Sequence, residues 1–515
     1  MPNAEKTNKQ KIGFFIGLGC AVALGLACRL CKLGVSGLTI DESISVAYSE
    51  NLRLILQSVR PPVYYLLLAA WRWVFSDGPI ALRLLSVLAG VASIILLALI
   101  AKRLASRRTG IIAAFLLACL PIHVYTSRLA DVGALSIALG LAAIYCLVVM
   151  SEKDTDATLA TVLAGLNIVG VFTCYYFLLA LIAQALVLVF IKKSEMLVRR
   201  DIAIGLGAPV AALVLASPLL YTQFKTLVVQ LSAFPSLTRI WEAPWSLWAN
   251  DMTLGAPWFY AESAGEVISL CLTTLGVVFF VAGTAACISD RRTGGMAILA
   301  MFYGTAFAML TASTIFPLWS PLGAVHFIPF YVLVIACGLT LLKKASLPVA
   351  VTLACVVSMG VIINAYNYPG EGAAWKKAPE WNRLAADLST RYGPGDNIIV
   401  SPGWIAQALR YHLSFSAEPK FSKDRERLPI IGAPFDFYNP DADLQNRIQL
   451  PEAPRSWIVS WRGYADRSVD RLMIDTGHRF SHSTDYWQLR LSLYRLVSSD
   501  DDDDEKTKTK GESEL

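Results

Sequence analysis

Long apolar segments separated by short polar loops constrain this chain more than any other feature of its sequence. A helix needs about 20 apolar residues to cross the hydrocarbon core of a bilayer. Charged residues make up only 16% of the 515 residues, against about 25% in soluble proteins. We therefore predict an α-helical polytopic membrane protein with about 11 transmembrane helices. The segments are 12–33, 79–101, 109–125, 132–150, 157–173, 174–191, 202–222, 264–287, 295–315, 322–342 and 346–364.

The positions of Lys and Arg predict which side each loop faces. We place the N-terminus in the cytoplasm and keep segment 61–75, which is short for a span, at the interface. The external loops between 123 and 330 then carry only Arg128, Lys225 and Arg239. The inner loops carry Lys or Arg at 102, 103, 107, 108, 153, 192, 193, 199, 200, 291, 292, 343 and 344. This positive-inside pattern predicts an external C-terminal region. We expect the protein in a bacterial inner or plasma membrane.

Three domains follow from this reading. Residues 1–364 form the transmembrane domain, in which 34–78 is an external loop with interfacial helices. Residues 365–497 form a small external α/β domain, and 498–515 form a disordered acidic tail with five consecutive Asp. The predicted elements of the α/β domain are helices 375–391 and 403–414, strands 397–401 and 456–460, and an edge strand over 487–496.

The cysteines and the net charge narrow the function. All ten cysteines lie within or beside apolar segments and none lies in 365–515, so an external domain stapled by disulfides is excluded. Cys28 and Cys31 have CxxC spacing but apolar neighbours, which is typical of small core residues. The net charge of +6 is explained by the loops and predicts no nucleic-acid partner. No HxxH or HExxH motif occurs, so a catalytic metal is not indicated.

An acidic pair, Asp41 and Glu42, follows the first apolar segment. Thr39 and Glu42 have the spacing of a capping box, which predicts that a helix starts here and lies on the membrane. One interpretation is that both carboxylates only stabilise the first turn of that helix. The other is that Glu42 caps the helix and Asp41 acts as a general base, because carboxylates beside a bilayer are usually functional.

Arg60 precedes Pro61 and Pro62, which end the preceding helix and fix an extended entry into the next segment. The residues that follow are predicted to form an aromatic surface made of Tyr64, Tyr65, Trp71 and Trp73. This pattern fits an interfacial anchor with a snorkelling arginine. It equally fits a fixed cation that binds a phosphate at the depth of the lipid headgroups.

Arg128, Asp131 and His326 lie at predicted outer junctions of spans. Arg128 and Asp131 have i,i+3 spacing, so they either pair on a helical turn or serve a cleft, with Arg128 on a substrate phosphate and Asp131 as a second acid. His326 fits a structural histidine or a further ligand of the phosphate.

These motifs together resemble the C-type membrane glycosyltransferases of the family 39 type, which include protein O-mannosyltransferases, the lipid A aminoarabinose transferase and bacterial relatives. Asp41-Glu42 resembles that family's acidic motif, 81–86 its next span, and Ser127-Arg128 its second external loop. Trp375 and the Pro394-Gly395-Asp396 turn resemble the soluble tail of its bacterial members. The sequence departs from the family at two places. Arg60 stands where the family commonly has His. The aromatic residue that typically follows the Arg of the second external loop is missing, and Asp131 lies nearby instead.

The resemblance implies transfer of a sugar from a polyprenyl-phosphate donor to an acceptor hydroxyl at the outer face, with inversion. The acceptor is a lipid, a glycan or a protein. Asp41 would be the base, supported by Glu42 and Asp131. Arg60, Tyr64, Tyr65, Arg128 and His326 would bind substrate. The resemblance implies no cofactor, although some C-type relatives require a divalent metal.

Three other functions remain open from the residues alone. A membrane transporter or lipid flippase would place ionisable residues at mid-membrane, whereas the acidic residues here gather at predicted span ends. A lipid-linked glycan polymerase or ligase would concentrate its chemistry in a late external loop. A non-enzymatic anchor for the C-terminal domain would leave Asp41 and Arg128 replaceable.

Overall fold

The structure is a computed structural model that forms two compact units. The membrane unit comprises residues 1–34 and 48–376, and the α/β unit comprises residues 35–47 and 377–515. The structure describes residues 2–35, 37–51, 53, 55, 60–152, 157–190, 207–215, 264–289, 293–315, 325–342, 346–367, 380–401, 405–415, 430–432, 453–461, 467–486 and 489–496. The predicted external segment 223–263, which is rich in aromatic residues, and the acidic tail therefore lie outside the described residues.

The described part of the membrane unit is helical. Its helices are α1 (Pro2–Leu30), α2 (Ile40–Glu50, which begins in the α/β unit), α3 (Val63–Val74), α4 (Pro79–Leu104), α5 (Arg107–Cys119), α6 (Pro121–Thr126), α7 (Val132–Glu152), α8 (Ala157–Val171), α9 (Leu178–Phe190), α10 (Gly207–Leu215), α11 (Ala264–Ser289), α12 (Thr293–Ile315), α13 (Ile328–Leu339) and α14 (Ser346–Asn367). A 3₁₀ turn, Tyr175–Phe177, precedes α9.

Among the described residues, four helical stretches are long and apolar enough to cross a membrane. They are Gln10–Leu30, Pro79–Leu104, Val132–Glu152 and Gly294–Thr311. The prediction of a helical polytopic membrane protein is confirmed at this level, whereas the number of 11 spans stays a prediction.

The predicted single segment 109–125 is wrong. The structure divides it into α5 and α6 at Leu120, whose backbone is extended (φ −64°, ψ 117°). The cause is Pro121, because the ring of a proline disfavours helical geometry in the residue before it. Pro121 then starts α6 at a position where no backbone N–H is needed.

Close backbone packing and paired amides hold the helices of the membrane unit together. A Cβ on Gly283 of α11 would lie 1.9 Å from the Val334 oxygen of α13, so only glycine allows this approach. Between α8 and α9, Asn167 and Gln184 exchange two side-chain hydrogen bonds of 2.9 and 2.8 Å. The pair satisfies two polar groups that are fully buried.

The α/β unit contains a five-stranded sheet with strand order β2-β1-β3-β5-β4. Its parallel part joins β1 to β2 and β3, and its antiparallel part joins β5 to β3 and β4. The elements are α15 (Trp381–Arg391), β1 (Asn397–Ser401), α16 (Ala406–Phe415), β2 (Ile430–Gly432), β3 (Arg455–Trp461), α17 (Arg467–Asp475), β4 (His478–Tyr486) and β5 (Leu489–Leu496).

The predicted edge strand over 487–496 is wrong in its position. β5 pairs on both sides, and the edge strand next to it is β4, which the sequence did not predict. β4 reads HRFSHSTDY and only its two ends are buried. A polar strand of this kind gives no hydrophobic alternation, and polar side chains are typical of an exposed edge.

The Pro394-Gly395-Asp396 turn has a structural role in the α/β unit. Gly395 has φ +92°, a conformation that glycine adopts readily. The buried carboxylate of Asp396 accepts hydrogen bonds from Arg455 Nε at 2.9 Å and from Trp457 Nε1 at 3.0 Å. Asp396 thereby ties the turn before β1 to the start of β3.

Candidate active site

The acidic pair begins helix α2, and its two carboxylates differ in environment. The Thr39 N–H donates to Glu42 Oε2 at 2.7 Å, and the Glu42 N–H donates to Thr39 Oγ1 at 3.3 Å. This reciprocal contact confirms the predicted capping box. Glu42 is fully buried and Asp41 is exposed. Asp41 is therefore the carboxylate of the pair that a substrate can reach.

Arg60 and the two tyrosines lie at the start of α3, in the membrane unit. The Val63 N–H donates to the Phe172 oxygen at 2.9 Å, which ties the start of α3 to the end of α8. The rings of Tyr64 and Tyr65 pack edge to face with centroids 5.6 Å apart. Both are fully buried, so the predicted aromatic surface is wrong for these two residues. They face the protein because α3 packs one side against its neighbours.

Arg60 and Asp131 lie close to the same two side chains. Both charges act on the Tyr65 hydroxyl and on the Cys174 thiol. Asp131 is 5% exposed and directly precedes α7, where the helix dipole favours a negative charge. The structure thus places a guanidinium, a carboxylate, a phenol and a thiol in one region of the membrane unit.

His326 joins this region through Ser136. The Ser136 hydroxyl lies 3.0 Å from His326 Nε2 and also hydrogen-bonds to the Cys174 thiol. The His326 ring stacks on Tyr176 at a centroid distance of 5.4 Å. We call Arg60, Tyr65, Asp131, Ser136, Cys174, Tyr176 and His326 the junction cluster, because each lies at or within about one helical turn of the end of a helix.

Arg128 has a different environment from Arg60. Its guanidinium donates to the carbonyl oxygens of Cys28 (3.2 Å), Arg29 (3.1 Å), Cys31 (2.5 Å) and Lys32 (3.2 Å) at the end of α1. The last carbonyls of a helix have no partners within the helix and carry partial negative charge. Arg128 therefore caps α1, and a role on substrate would compete with these bonds.

The site candidates divide between the two units. Asp41 and Glu42 belong to the α/β unit, whereas Arg60, Tyr64, Tyr65, Arg128, Asp131 and His326 belong to the membrane unit. No three His, Cys, Asp or Glu side chains are arranged for a metal ion within the described ranges. The need for a divalent metal stays untested.

Sequence reasoning missed three members of the junction cluster, namely Ser136, Cys174 and Tyr176. A signal was available, because Cys174 stands where two apolar segments meet without a loop. The alternation of inner and outer loops puts this junction on the same side as Arg60 and Asp131. The polar and aromatic residues at this junction could therefore have been predicted from the sequence as candidate site residues.

A comparison with protein families finds one match in the first half of the chain. Residues 59–221 match the family described as dolichyl-phosphate-mannose-protein mannosyltransferase. This stretch includes every member of the junction cluster except His326. No curated protein sequence matches the chain significantly.

Solved structures of membrane glycosyltransferases share the fold. ArnT from Cupriavidus metallidurans bound to undecaprenyl phosphate aligns with 14% identity and a TM-score of 0.56, over 93% of this chain and 98% of that one. The oligosaccharyltransferase AglB from Archaeoglobus fulgidus, with an inhibitory peptide and a dolichol-phosphate, aligns with 13% identity and a TM-score of 0.54, over 88% of this chain and 69% of that one. The chain therefore has the C-type fold that its motifs resemble.

Proposed function

We propose that this protein is an integral membrane glycosyltransferase. It moves a sugar from a polyprenyl-phosphate donor to a hydroxyl of a lipid, glycan or protein acceptor, at the outer face of a bacterial inner or plasma membrane. The junction cluster is the observation that carries the proposal. It combines a cation with buried polar groups at helix ends. All of its members except His326 fall within the match to the family described as dolichyl-phosphate-mannose-protein mannosyltransferase.

The cluster suits a phosphate on a lipid carrier. A guanidinium binds phosphate through two parallel N–H donors, and Arg60 lies at a helix end where a headgroup can approach. Among proteins of this fold, ArnT was solved with undecaprenyl phosphate and AglB with a dolichol-phosphate. We assign the donor phosphate to Arg60 and His326, and place Tyr64 and Tyr65 behind them as a rigid wall.

In the proposed reaction, an acceptor hydroxyl attacks the anomeric carbon of the sugar. Asp41 takes the hydroxyl proton, and the new C–O bond forms as the bond from carbon to the phosphate oxygen breaks. The phosphate leaves with the bonding electrons on the face opposite to attack, which inverts the configuration. Developing charge on the phosphate is stabilised by fixed cations. Glu42 supports Asp41 through the capping box, and Asp131 is the second acidic group, which orients the site.

The leading alternative is a transporter or lipid flippase. A flippase needs a polar path through the middle of the membrane. Arg60, Asp131 and His326 each lie within three residues of the start of a helix rather than in its middle. This placement favours chemistry at one membrane surface.

The test uses membranes that contain the full chain and a panel of radiolabelled polyprenyl-phosphate sugars. We expect transfer by the wild type, and a loss of about 10²-fold or more in Asp41→Asn, the range for removing a general base. The matched control is Glu50→Gln, an exposed carboxylate at the other end of α2, which should retain activity. Full transfer by Asp41→Asn would remove the base from the mechanism. Translocation of the labelled lipid without any transfer would favour the flippase.

A further inference from the structure

The segment before the acidic pair is bound to two helices of the α/β unit. His412 of α16 places Nε2 3.2 Å from the Leu38 oxygen and Nδ1 2.7 Å from Asn382 Oδ1 of α15. The oxygens of Leu38 and Asn382 only accept, so a ring that makes both hydrogen bonds donates from Nε2 and from Nδ1. The His412 ring also lies parallel to Trp381, at a centroid distance of 6.1 Å and an interplanar angle of 5°. His412 is therefore fixed on several sides.

Gly37 allows the chain to approach His412 this closely. A Cβ at position 37 would lie 2.7 Å from His412 Cε1 and 3.0 Å from Asn382 Oδ1. Contacts below 3.0 Å require atoms to move, so any larger residue would push the segment outward. Leu38 is fully buried, and Ile40 packs against the core of the α/β unit.

These contacts surround the start of helix α2. Thr39 lies between Leu38, which His412 binds, and Ile40, which packs on the core. Thr39 is also the N-cap that Glu42 holds. A helix whose cap and preceding residue are both fixed has a defined starting direction. Asp41 lies two residues after the cap, so the direction of the helix determines the position of its carboxylate.

We propose that His412 and Gly37 form a latch through which the α/β unit positions Asp41, so that His412 is a positioning residue for transfer. This inference rests on the proposed function. The latch needs a residue at 412 that donates to Leu38 and a glycine at 37. It gives the α/β unit a definite task, because without the latch the segment 37–40 loses the hydrogen bond from His412 of α16 to the Leu38 oxygen. A displacement of about 1 Å at a catalytic group costs as much as 10²-fold in rate.

The test compares three variants of His412 in the full chain in detergent or membranes. In His412→Gln the amide nitrogen reaches the position of Nε2, so the bond to Leu38 is kept. In His412→Asn the amide reaches only the position of Nδ1, and in His412→Ala both bonds are lost. Gly37→Ala disturbs the same contact from the other side. The matched control is His478→Ala, another buried histidine of the α/β unit, which contacts Ala453 and Thr476 instead.

The first measurement is hydrogen exchange of the backbone amides in peptides that cover 37–50, which does not depend on activity. We expect exchange about tenfold faster in His412→Ala, His412→Asn and Gly37→Ala, because one lost bond of about 1.4 kcal/mol is a tenfold change. His412→Gln and His478→Ala should exchange like the wild type in this region. Unchanged exchange in both His412→Ala and Gly37→Ala would show that there is no latch.

The second measurement is the split between kcat and KM for the lipid donor. We expect kcat to fall about tenfold in His412→Ala and His412→Asn, KM for the donor to stay within about twofold, and His412→Gln to restore kcat. Faster exchange with normal kcat would show that the latch exists but does not position a catalytic group, which overturns the inference. If Asp41→Asn keeps full activity, the proposed function fails, and the exchange data still report on the latch.

Discussion

Two regions of the membrane unit use arginine in opposite ways. At the end of α1, Arg128 donates to four backbone carbonyls and Arg83 donates to the Leu33 oxygen at 2.7 Å. In the junction cluster, Arg60 instead lies among side chains, near Tyr65 and Cys174. The first region neutralises the end of a helix, and the second presents charge to other side chains.

The difference teaches that a cation at a span junction does not by itself mark a phosphate site. A helix end offers as many as four carbonyls without partners, and in apolar surroundings these attract the nearest arginine. Arg60 lies beside the Tyr65 hydroxyl and the Cys174 thiol and is our proposed ligand of the donor phosphate, whereas Arg128 caps the end of α1.

Arg60→Ala gives the largest expected effect. Removing a fixed cation from a developing phosphate charge should lower the transfer rate about 10²- to 10³-fold, while the melting temperature stays near that of the wild type. Transfer assays and thermal unfolding on the same preparation check both parts. Arg53→Ala, an exposed arginine of the same segment, is the control and should change neither. If Arg60→Ala loses stability but keeps a normal transfer rate, Arg60 stabilises the fold, as we expect for Arg128, and does not bind the phosphate.

Arg128→Ala should show the reverse pattern. Loss of the hydrogen bonds from a charged group to the end of α1 should lower the free energy of unfolding by about 2 to 3 kcal/mol, and the rate per folded molecule should change little. Thermal unfolding, together with activity normalised to folded protein, checks this. The control is Arg490→Ala, which removes an exposed surface ion pair with Asp485 and should be nearly neutral. If Arg128→Ala has normal stability but a much lower transfer rate, Arg128 binds substrate.

Gly90→Ala should destabilise the region around α1 by about 1 to 2 kcal/mol through overpacking. A Cβ there would lie 2.3 Å from Ser127 Oγ and 3.0 Å from Arg29 Nε. Gly165→Ala is the matched control, since a Cβ on Gly165 meets no atom within 4 Å and alanine favours a helix. Unfolding measurements on both variants check the sign. Equal stability of the two would mean that the end of α1 is loosely packed and that the contrast with the junction cluster is overstated.

Much of the membrane unit was readable from the sequence, because its order follows from hydropathy. Each described helix from α4 to α14 falls on a predicted apolar segment, apart from the break at Leu120. The alternation of inner and outer loops also predicted that Arg60, Asp131 and His326 lie on one side of the bundle. The structure brings those three to one cluster. Which side of the membrane they face stays a prediction.

The contacts that sequence reasoning did not find join residues far apart in the chain. Leu38 and His412 are separated by 374 positions, and no periodicity links them. The sequence placed 34–78 with the membrane domain, whereas residues 35–47 group with the α/β unit. The buried state of Tyr64 and Tyr65 was missed for a related reason. An amphipathic pattern shows that one face is apolar, but it does not tell a lipid contact from a protein contact.

Ser136→Ala gives the smallest expected effect and asks whether the junction cluster works as a unit. The change removes the hydroxyl that contacts both His326 and Cys174. Loss of one hydrogen bond of about 1 kcal/mol should lower the transfer rate about fivefold, with unfolding unchanged. Ser93→Ala is the control, because Ser93 is equally buried but donates to the Ala89 oxygen of its own helix. If Ser136→Ala matches this control in rate, His326 does not depend on Ser136, and the cluster reduces to Arg60 and Asp131 alone.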